Sequence, residues 1–133
     1  MILVDSSVWI DYFNGQPTEA ANYLDKAPGS ENLVVGDIVL TEGLQDFKHD
    51  KDFNTAKNLL TSLDVLPLLK QDIAIKSTQN FRHLRKRRLT VRKTIDVIIA
   101  TYCIKNEITL LQADKDFHPF AEHLRLSLLP NTM

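Results

Sequence analysis

The feature that most constrains this chain is an apolar run that ends on an acid: Ile2-Leu3-Val4-Asp5, followed at once by Ser6 and Ser7. Three consecutive apolar residues closed by a polar turn, with no alternation, read as a strand buried on both faces, as in a parallel sheet. Leu33-Val34-Val35, running into Gly36-Asp37, is a second strand candidate, and Ile108-Thr109-Leu110-Leu111, ending at Gln112-Ala113-Asp114, is another. In open parallel sheets ligands bind just beyond the carboxyl ends of the strands. Asp5 and Asp114 are therefore predicted on one edge of the sheet, and the question is what else stands there.

The segments between these runs carry helical periods. Ser6 or Ser7 can cap a helix with Val8, Trp9, Tyr12 and Phe13 as its apolar stripe, stopped by Asn14-Gly15-Gln16-Pro17. A short helix over 18–26 follows, then a turn at Pro28-Gly29-Ser30. Gly36-Asp37 opens a helix covering Ile38, Val39, Leu40, Leu44 and Phe47, with Glu42 about one turn after its start. After a polar stretch from Lys48 to Asp52, the residues Phe53, Ala56, Leu59, Leu60 and Leu63 keep a helical period. Val65 to Leu68 reads as extended, and Pro67 marks it as an edge strand. Helices are predicted from Gln71 to about Arg87 and from Thr94 to Lys105, and Leu124, Leu126 and Leu128 alternate as a half-exposed last strand. Strands alternating with helices predict an α/β sandwich on a mainly parallel sheet.

At 133 residues the chain fits one domain, spanning 1–133. A formal net charge of −1 gives no global attraction to nucleic acid, so any such attraction must be local. One cysteine, Cys103, excludes an internal disulfide and suits a reducing cytoplasm. The longest nearly apolar run, Ile95 to Ile104, is about half a membrane span and contains Asp96, and no signal pattern leads the chain. The expectation is a soluble cytoplasmic protein.

The chemistry rests on acids. Taken singly, each has an ordinary role: Asp5 closes a turn or caps a helix, Asp96 or Thr94 caps the next, Glu42 sits on a solvated helix face, and Asp114 and Asp116 belong to a polar loop opening a helix. Together they say more. Asp96 lies among Ile95, Val97, Ile98 and Ile99, where an unpaired buried carboxylate would cost several kcal/mol. Carboxylates converging on one sheet edge repel unless a cation is shared. An all-oxygen donor set, with no zinc-ligand spacing among His49, His83, His118 and His123, favours Mg²⁺ or Mn²⁺. A hydrated metal in such a cluster suits phosphodiester hydrolysis.

At this point the residues resemble a known family. Ile2 to Asp11 resembles the opening motif of PIN domains, and Glu42 within Leu40-Thr41-Glu42-Gly43-Leu44 resembles their second acid. Thr94 to Ala100, around Asp96, is similar to the third motif, and Leu110 to Phe117, around Asp114, to the fourth. The length is similar to that of the single-domain toxins of VapBC toxin–antitoxin modules. The resemblance implies a three-layer α/β/α sandwich with a five-stranded parallel sheet and Asp5 on a central strand. It implies a Mg²⁺-dependent endoribonuclease that is usually a homodimer and is inhibited by a cognate VapB-type antitoxin. Carried over, Asp5 and Asp96 are direct metal ligands, Glu42 and Asp114 complete the pocket, and Asp116 is a further candidate. Gln112 departs from the pattern, since many relatives carry Thr or Ser there.

RNA needs a counter-charge. Seven of the twelve residues from Arg82 to Lys93 are basic, namely Arg82, Arg85, Lys86, Arg87, Arg88, Arg92 and Lys93. Helix C-termini favour cations, which accounts for two or three of them; the whole run makes a local patch that can track a nucleic-acid backbone. Arg92 can also pair with an acid of the site when no metal is bound. Trp9, Tyr12 and Phe13 read as core or dimer-face residues, and Cys103 as a small buried hydrophobe. Two other classes compete with the nuclease: a phosphoryl-transfer protein of doubly wound fold, and a non-catalytic RNA- or partner-binding module of the same fold. The phosphatase pattern would want an acid two residues after Asp5, where this chain has Ser7.

Overall fold

The apolar runs assemble into one sheet. In the computed structural model, which describes residues 1–26 and 32–130, β1 (Ile2–Val4), β2 (Leu33–Gly36), β3 (Asp64–Leu66), β4 (Thr109–Leu111) and β5 (Leu128–Leu129) pair in the order β3-β2-β1-β4-β5. Every pairing is parallel, so the sheet is wholly rather than mainly so. Leu3 of the central strand pairs with Val34 on one side and Leu110 on the other, and all three are completely buried. That double burial is why these strands show no alternation. Truncating Leu3 to alanine in such a core would cost ~2–5 kcal/mol.

Helices cover both faces. α1 (Ser6–Phe13), α2 (Glu19–Lys26), α3 (Asp37–Leu44) and α4 (Asp50–Thr61) lie in the connections that step outward from β1 to β2 and β3. α5 (Gln71–Lys86) and α6 (Thr94–Asn106) carry the chain back across to β4, and α7 (His118–Leu124) continues toward β5. Parallel crossovers are right-handed, so reversing the direction of travel places the second set of helices on the opposite face. The packing agrees: α1 rests on α2 and α3, while α5 rests on α6 and α7. The reversal falls between β1 and β4, where a crevice opens at the carboxyl edge of an open sheet. Among the described residues no helix is long and apolar enough to cross a membrane.

Several sequence expectations shift. Asp5, rather than Ser6 or Ser7, is the cap of α1. α3 stops at Leu44 and α4 begins already at Asp50, inside the polar stretch. The strand expected through Leu124, Leu126 and Leu128 is shorter: Leu124 ends α7, Arg125 turns left-handed (φ 65°), and only Leu128–Leu129 pairs with β4. Leu126 is buried from a loop, its amide held by the Phe120 carbonyl, so the alternation was produced by packing rather than by a strand. The edge strand expected over Val65 to Leu68 is β3, which lies at the edge but ends at Leu66, with Pro67 just beyond it. The turn predicted at Pro28-Gly29-Ser30 lies outside the described residues.

The β2–α3 junction that delivers Glu42 depends on Gly36. A Cβ there would sit 2.5 Å from Cδ1 of Leu68, which is fully buried. The Leu68 amide donates to Asp37 Oδ1 (3.2 Å), tying the start of α3 to the segment after β3.

Candidate metal centre

Asp5 ends the central strand, and its backbone amide donates to the Leu111 carbonyl of β4 (2.9 Å). Its two carboxylate oxygens have different surroundings. Oδ2 accepts from the Ser7 amide (3.0 Å) and the Ser7 hydroxyl (2.6 Å), which caps α1. Oδ1 is buried with no hydrogen-bond partner. The Ser7 hydroxyl in turn accepts from the Ala113 amide (3.1 Å), so one side chain links the start of α1 to the loop after β4. Burial pushes the Asp5 pKa up against the pull of Ser7 and Ser6.

Asp96 comes from the opposite face of the sheet, in the first turn of α6, whose cap position is Lys93 rather than Thr94 or Asp96. It is buried, and Oδ2 has no partner. A buried hydrogen bond from Asn80 of α5 to Thr101 of α6 (3.0 Å) fixes the helix that carries it. Burial, then the negative charges of Asp5 and Asp114, raise the Asp96 pKa from 3.8 to about 7, with Lys93 opposing.

Asp114 follows β4 and caps a 3-10 turn over Lys115–Phe117: its Oδ1 accepts from the Asp116 amide (2.9 Å). That turn brings Asp116 inward, anchored by Phe117, which is fully buried. The Asp114 amide donates to Oε1 of the buried Gln112 (2.7 Å), so glutamine supplies the local hydrogen bond expected of a hydroxyl there. One carboxylate oxygen each from Asp96, Asp114 and Asp116 lie within 4.8 Å of one another. Glu42 reaches the same neighbourhood from α3, where Oε1 accepts from the Ser6 hydroxyl (3.2 Å). Burial and the charge of Asp5 raise the Glu42 pKa, and Lys93 lowers it. The five acids named from sequence are thus electrostatically or geometrically connected: Asp96, Asp114 and Asp116 group within 4.8 Å, and Asp5 is the charge that acts most strongly on Asp96, ahead of Asp114. Ser6 and Ser7, expected only as helix caps, hold Glu42 and Asp5, and their position beside Asp5 was the available signal.

The chemistry of this donor set fits a hard divalent cation. Around Mg²⁺ at ~2.1 Å, ligand oxygens lie ~3–4 Å apart, so a spread of 4.8 Å closes by small side-chain rotations. Two unpartnered buried oxygens, Asp5 Oδ1 and Asp96 Oδ2, are what such a cation would satisfy. Hollows flank the acids on either side: about 260 Å³ bordered by Thr18, Gln112, Asp114, Lys115 and His118, and about 170 Å³ bordered by Phe13, Glu42, Asp46 and Phe47.

Of the seven basic residues, two interact with the acids. Arg92 Nη2 stands 3.5 Å from Asp116 Oδ2, so the run pairs with an acid of the site. Lys93 opposes the charge of Asp96 and Glu42. Arg82, Arg85, Lys86, Arg87 and Arg88 are all exposed in the last turns of α5 and just beyond it. Trp9 is buried and stacks on Phe13 (centroids 5.9 Å), as a core residue does. Cys103 is buried and its thiol pKa is pushed up to about 12, which leaves it inert.

A family model described as "PIN domain" matches residues 2–122. Two curated relatives, VapC ribonuclease Mb1587 of Mycobacterium bovis and Ribonuclease VapC11 of Mycobacterium tuberculosis, are each 28% identical over 126 residues, covering 91% of this chain and 92% of theirs. Among solved structures, VapBC2 from Rickettsia felis bound to a promoter DNA fragment superposes with a TM-score of 0.75 at 19% identity, over 96% of this chain and 97% of that one. VapBC-1 from nontypeable Haemophilus influenzae gives 0.71 at 20% identity, with 96% of both chains covered. At these identities the structural likeness speaks for the fold.

Proposed function

Because the chain belongs to the PIN domain family, we propose that it is a divalent-metal-dependent endoribonuclease acting as the toxin of a type II toxin–antitoxin pair. The observation that carries this reading is the convergence of Asp96, Asp114 and Asp116 at the switch point of the sheet, beside the unpartnered oxygens of Asp5 and Asp96. The relatives named VapC ribonuclease and the neighbours solved as VapBC complexes support RNA as substrate and a VapB-type antitoxin as partner.

Asp5 and Asp96, through their unpartnered oxygens, would hold the cation together with Asp114 and Asp116, and Glu42 would complete the acidic wall. Bound there, Mg²⁺ or Mn²⁺ supplies Lewis-acid charge at the phosphodiester and makes water a stronger nucleophile. The protein's own residues set the stage. Ser7 fixes Asp5 against the β4 loop, Ser6 fixes Glu42, and Gln112 fixes the turn of Asp114. Arg82, Arg85, Lys86, Arg87, Arg88, Arg92 and Lys93 bind the RNA backbone by charge, which positions the strand without reading bases. The protein acts in the cytoplasm as one PIN domain. A homodimer belongs to the same reading, by likeness to the PIN family.

The test is cleavage of RNA with Mg²⁺ by wild type, Asp5→Asn and Asp96→Asn proteins purified free of contaminating nuclease. Wild type should cut, and chelator or either substitution should abolish cutting. Wild-type rates in both variants would sink the assignment. RNA bound but never cut by wild type would point to a non-catalytic module instead.

A further inference from the structure

The basic run and the acidic site meet at one atom pair. Arg92 Nη2 lies 3.5 Å from Oδ2 of Asp116; the arginine side chain is 75% exposed and the aspartate side chain 14%. Asp116 is also one of the three carboxylates grouped within 4.8 Å. A guanidinium and a divalent cation would therefore contend for the same carboxylate. The main chain around this contact is held while the arginine side chain is largely exposed. Val91 is buried next to Arg92, and the Asp116 amide is fixed by Asp114 Oδ1. Arg92 also belongs to the exposed basic run that ends at Lys93, so it stands where the acidic and basic surfaces join.

We propose that Arg92 is an exchange residue: it holds Asp116 when the site has no cation and passes to the RNA backbone when a cation takes Asp116. This rests on the ribonuclease reading above and adds a coupling to it. An exposed ion pair of this length is weak, so a doubly charged ion can displace it. The released guanidinium is suited to a phosphate, with which it forms two parallel hydrogen bonds. Linkage makes the effect reciprocal: the factor by which the cation strengthens RNA binding is the factor by which RNA strengthens cation binding.

Two double-mutant cycles on the intact chain test this. In the first, Mn²⁺ affinity is read from the electron paramagnetic resonance signal of the free ion. Arg92→Gln should bind Mn²⁺ roughly two- to fivefold tighter than wild type, and the gain should vanish in the Asp116→Asn background. In the second, affinity for a short single-stranded RNA is read by fluorescence anisotropy in chelator, where no cutting occurs. Asp116→Asn, which frees Arg92, should bind RNA roughly two- to fivefold tighter, and this gain should vanish when Arg92→Gln is added. Equal Mn²⁺ affinities of wild type and Arg92→Gln, or gains that persist in the second background, overturn the exchange. If wild type binds Mn²⁺ and cuts RNA while the Arg92→Gln gain is missing, the exchange alone fails. If wild type binds no Mn²⁺ at all, the ribonuclease reading fails with it.

Discussion

Replacing Asp96 by asparagine should make the metal-free protein more stable while destroying its activity. The Asp96 pKa rises from 3.8 to about 7 on folding, so the folded state holds a proton that the unfolded chain has already released. Between those values stability falls as pH rises, and above about pH 7 the penalty is fully present. A shift of about 3 units would correspond to ~4 kcal/mol. Lys93 counters its charge, and the effective dielectric even around buried groups is high, which together reduce this to ~1–2 kcal/mol. Asparagine also forfeits a carboxylate in the first turn of α6, worth ~0.3–1 kcal/mol through the helix dipole. The net gain is ~1 kcal/mol, or roughly 3–4 °C in Tm for a chain of this size. Thermal unfolding in chelator should show this gain near pH 8 and lose it near pH 3, well below the unfolded value of 3.8, where wild-type Asp96 is largely protonated in both states. A variant less stable than wild type near pH 8, or an equal gain at both pH values, would refute the account of Asp96 as a strained, unsatisfied carboxylate.

Ser7→Ala removes both the 2.6 Å bond to Asp5 and the 3.1 Å bond from Ala113; it should lower stability by ~1–2 kcal/mol, seen as a lower denaturation midpoint, and reduce cleavage as well. Lys93→Gln removes the cation that holds down the pKa values of Asp96 and Glu42, so the pH at which Mn²⁺ binding reaches half its maximum should move upward; a profile that stays in place would exclude Lys93 as their counter-charge. Neutralising Arg85, Arg87 and Arg88 together should weaken RNA binding and reduce the slope of log affinity against log salt by about 0.7 per lost phosphate contact; unchanged affinity at low and high salt would remove these residues from the RNA path.

The centre of the fold was legible because burial on both faces leaves a plain mark. Ile2-Leu3-Val4 and Leu110-Leu111 show no polar alternation, and both stand at the middle of the sheet. Acids placed directly after such runs were legible for the same reason, as the strand fixes where its last residue emerges. Glu42 and Asp96 were harder, because each depends on how a helix is carried over the sheet; only the motif resemblance joined them to Asp5. The rank of Asp116 was not legible. It enters the site through a 3-10 turn capped by Asp114 and anchored by Phe117, and a single turn of that kind leaves no periodicity. The end of the chain misled because Leu126 is buried from a loop, mimicking the alternation of a strand.

Asp5 shows how one residue can satisfy the ordinary and the chemical reading of a motif at once. A turn-closing aspartate needs one acceptor oxygen for the next helix, and Oδ2 fills that role through Ser7. A carboxylate has a second oxygen, and here burial withholds water and every protein donor from it. Asparagine could cap the helix equally well, so capping alone does not require a negative charge at this position. The requirement for charge comes from across the sheet, where Asp96 lies at the start of a helix fixed by Asn80 and Thr101, with an equally unpartnered oxygen. Two buried, unsatisfied carboxylate oxygens delivered from opposite faces to one switch point raise the free energy of the unliganded fold. A shared divalent cation would remove both penalties, and the cost stored in these acids would then become affinity for the ion.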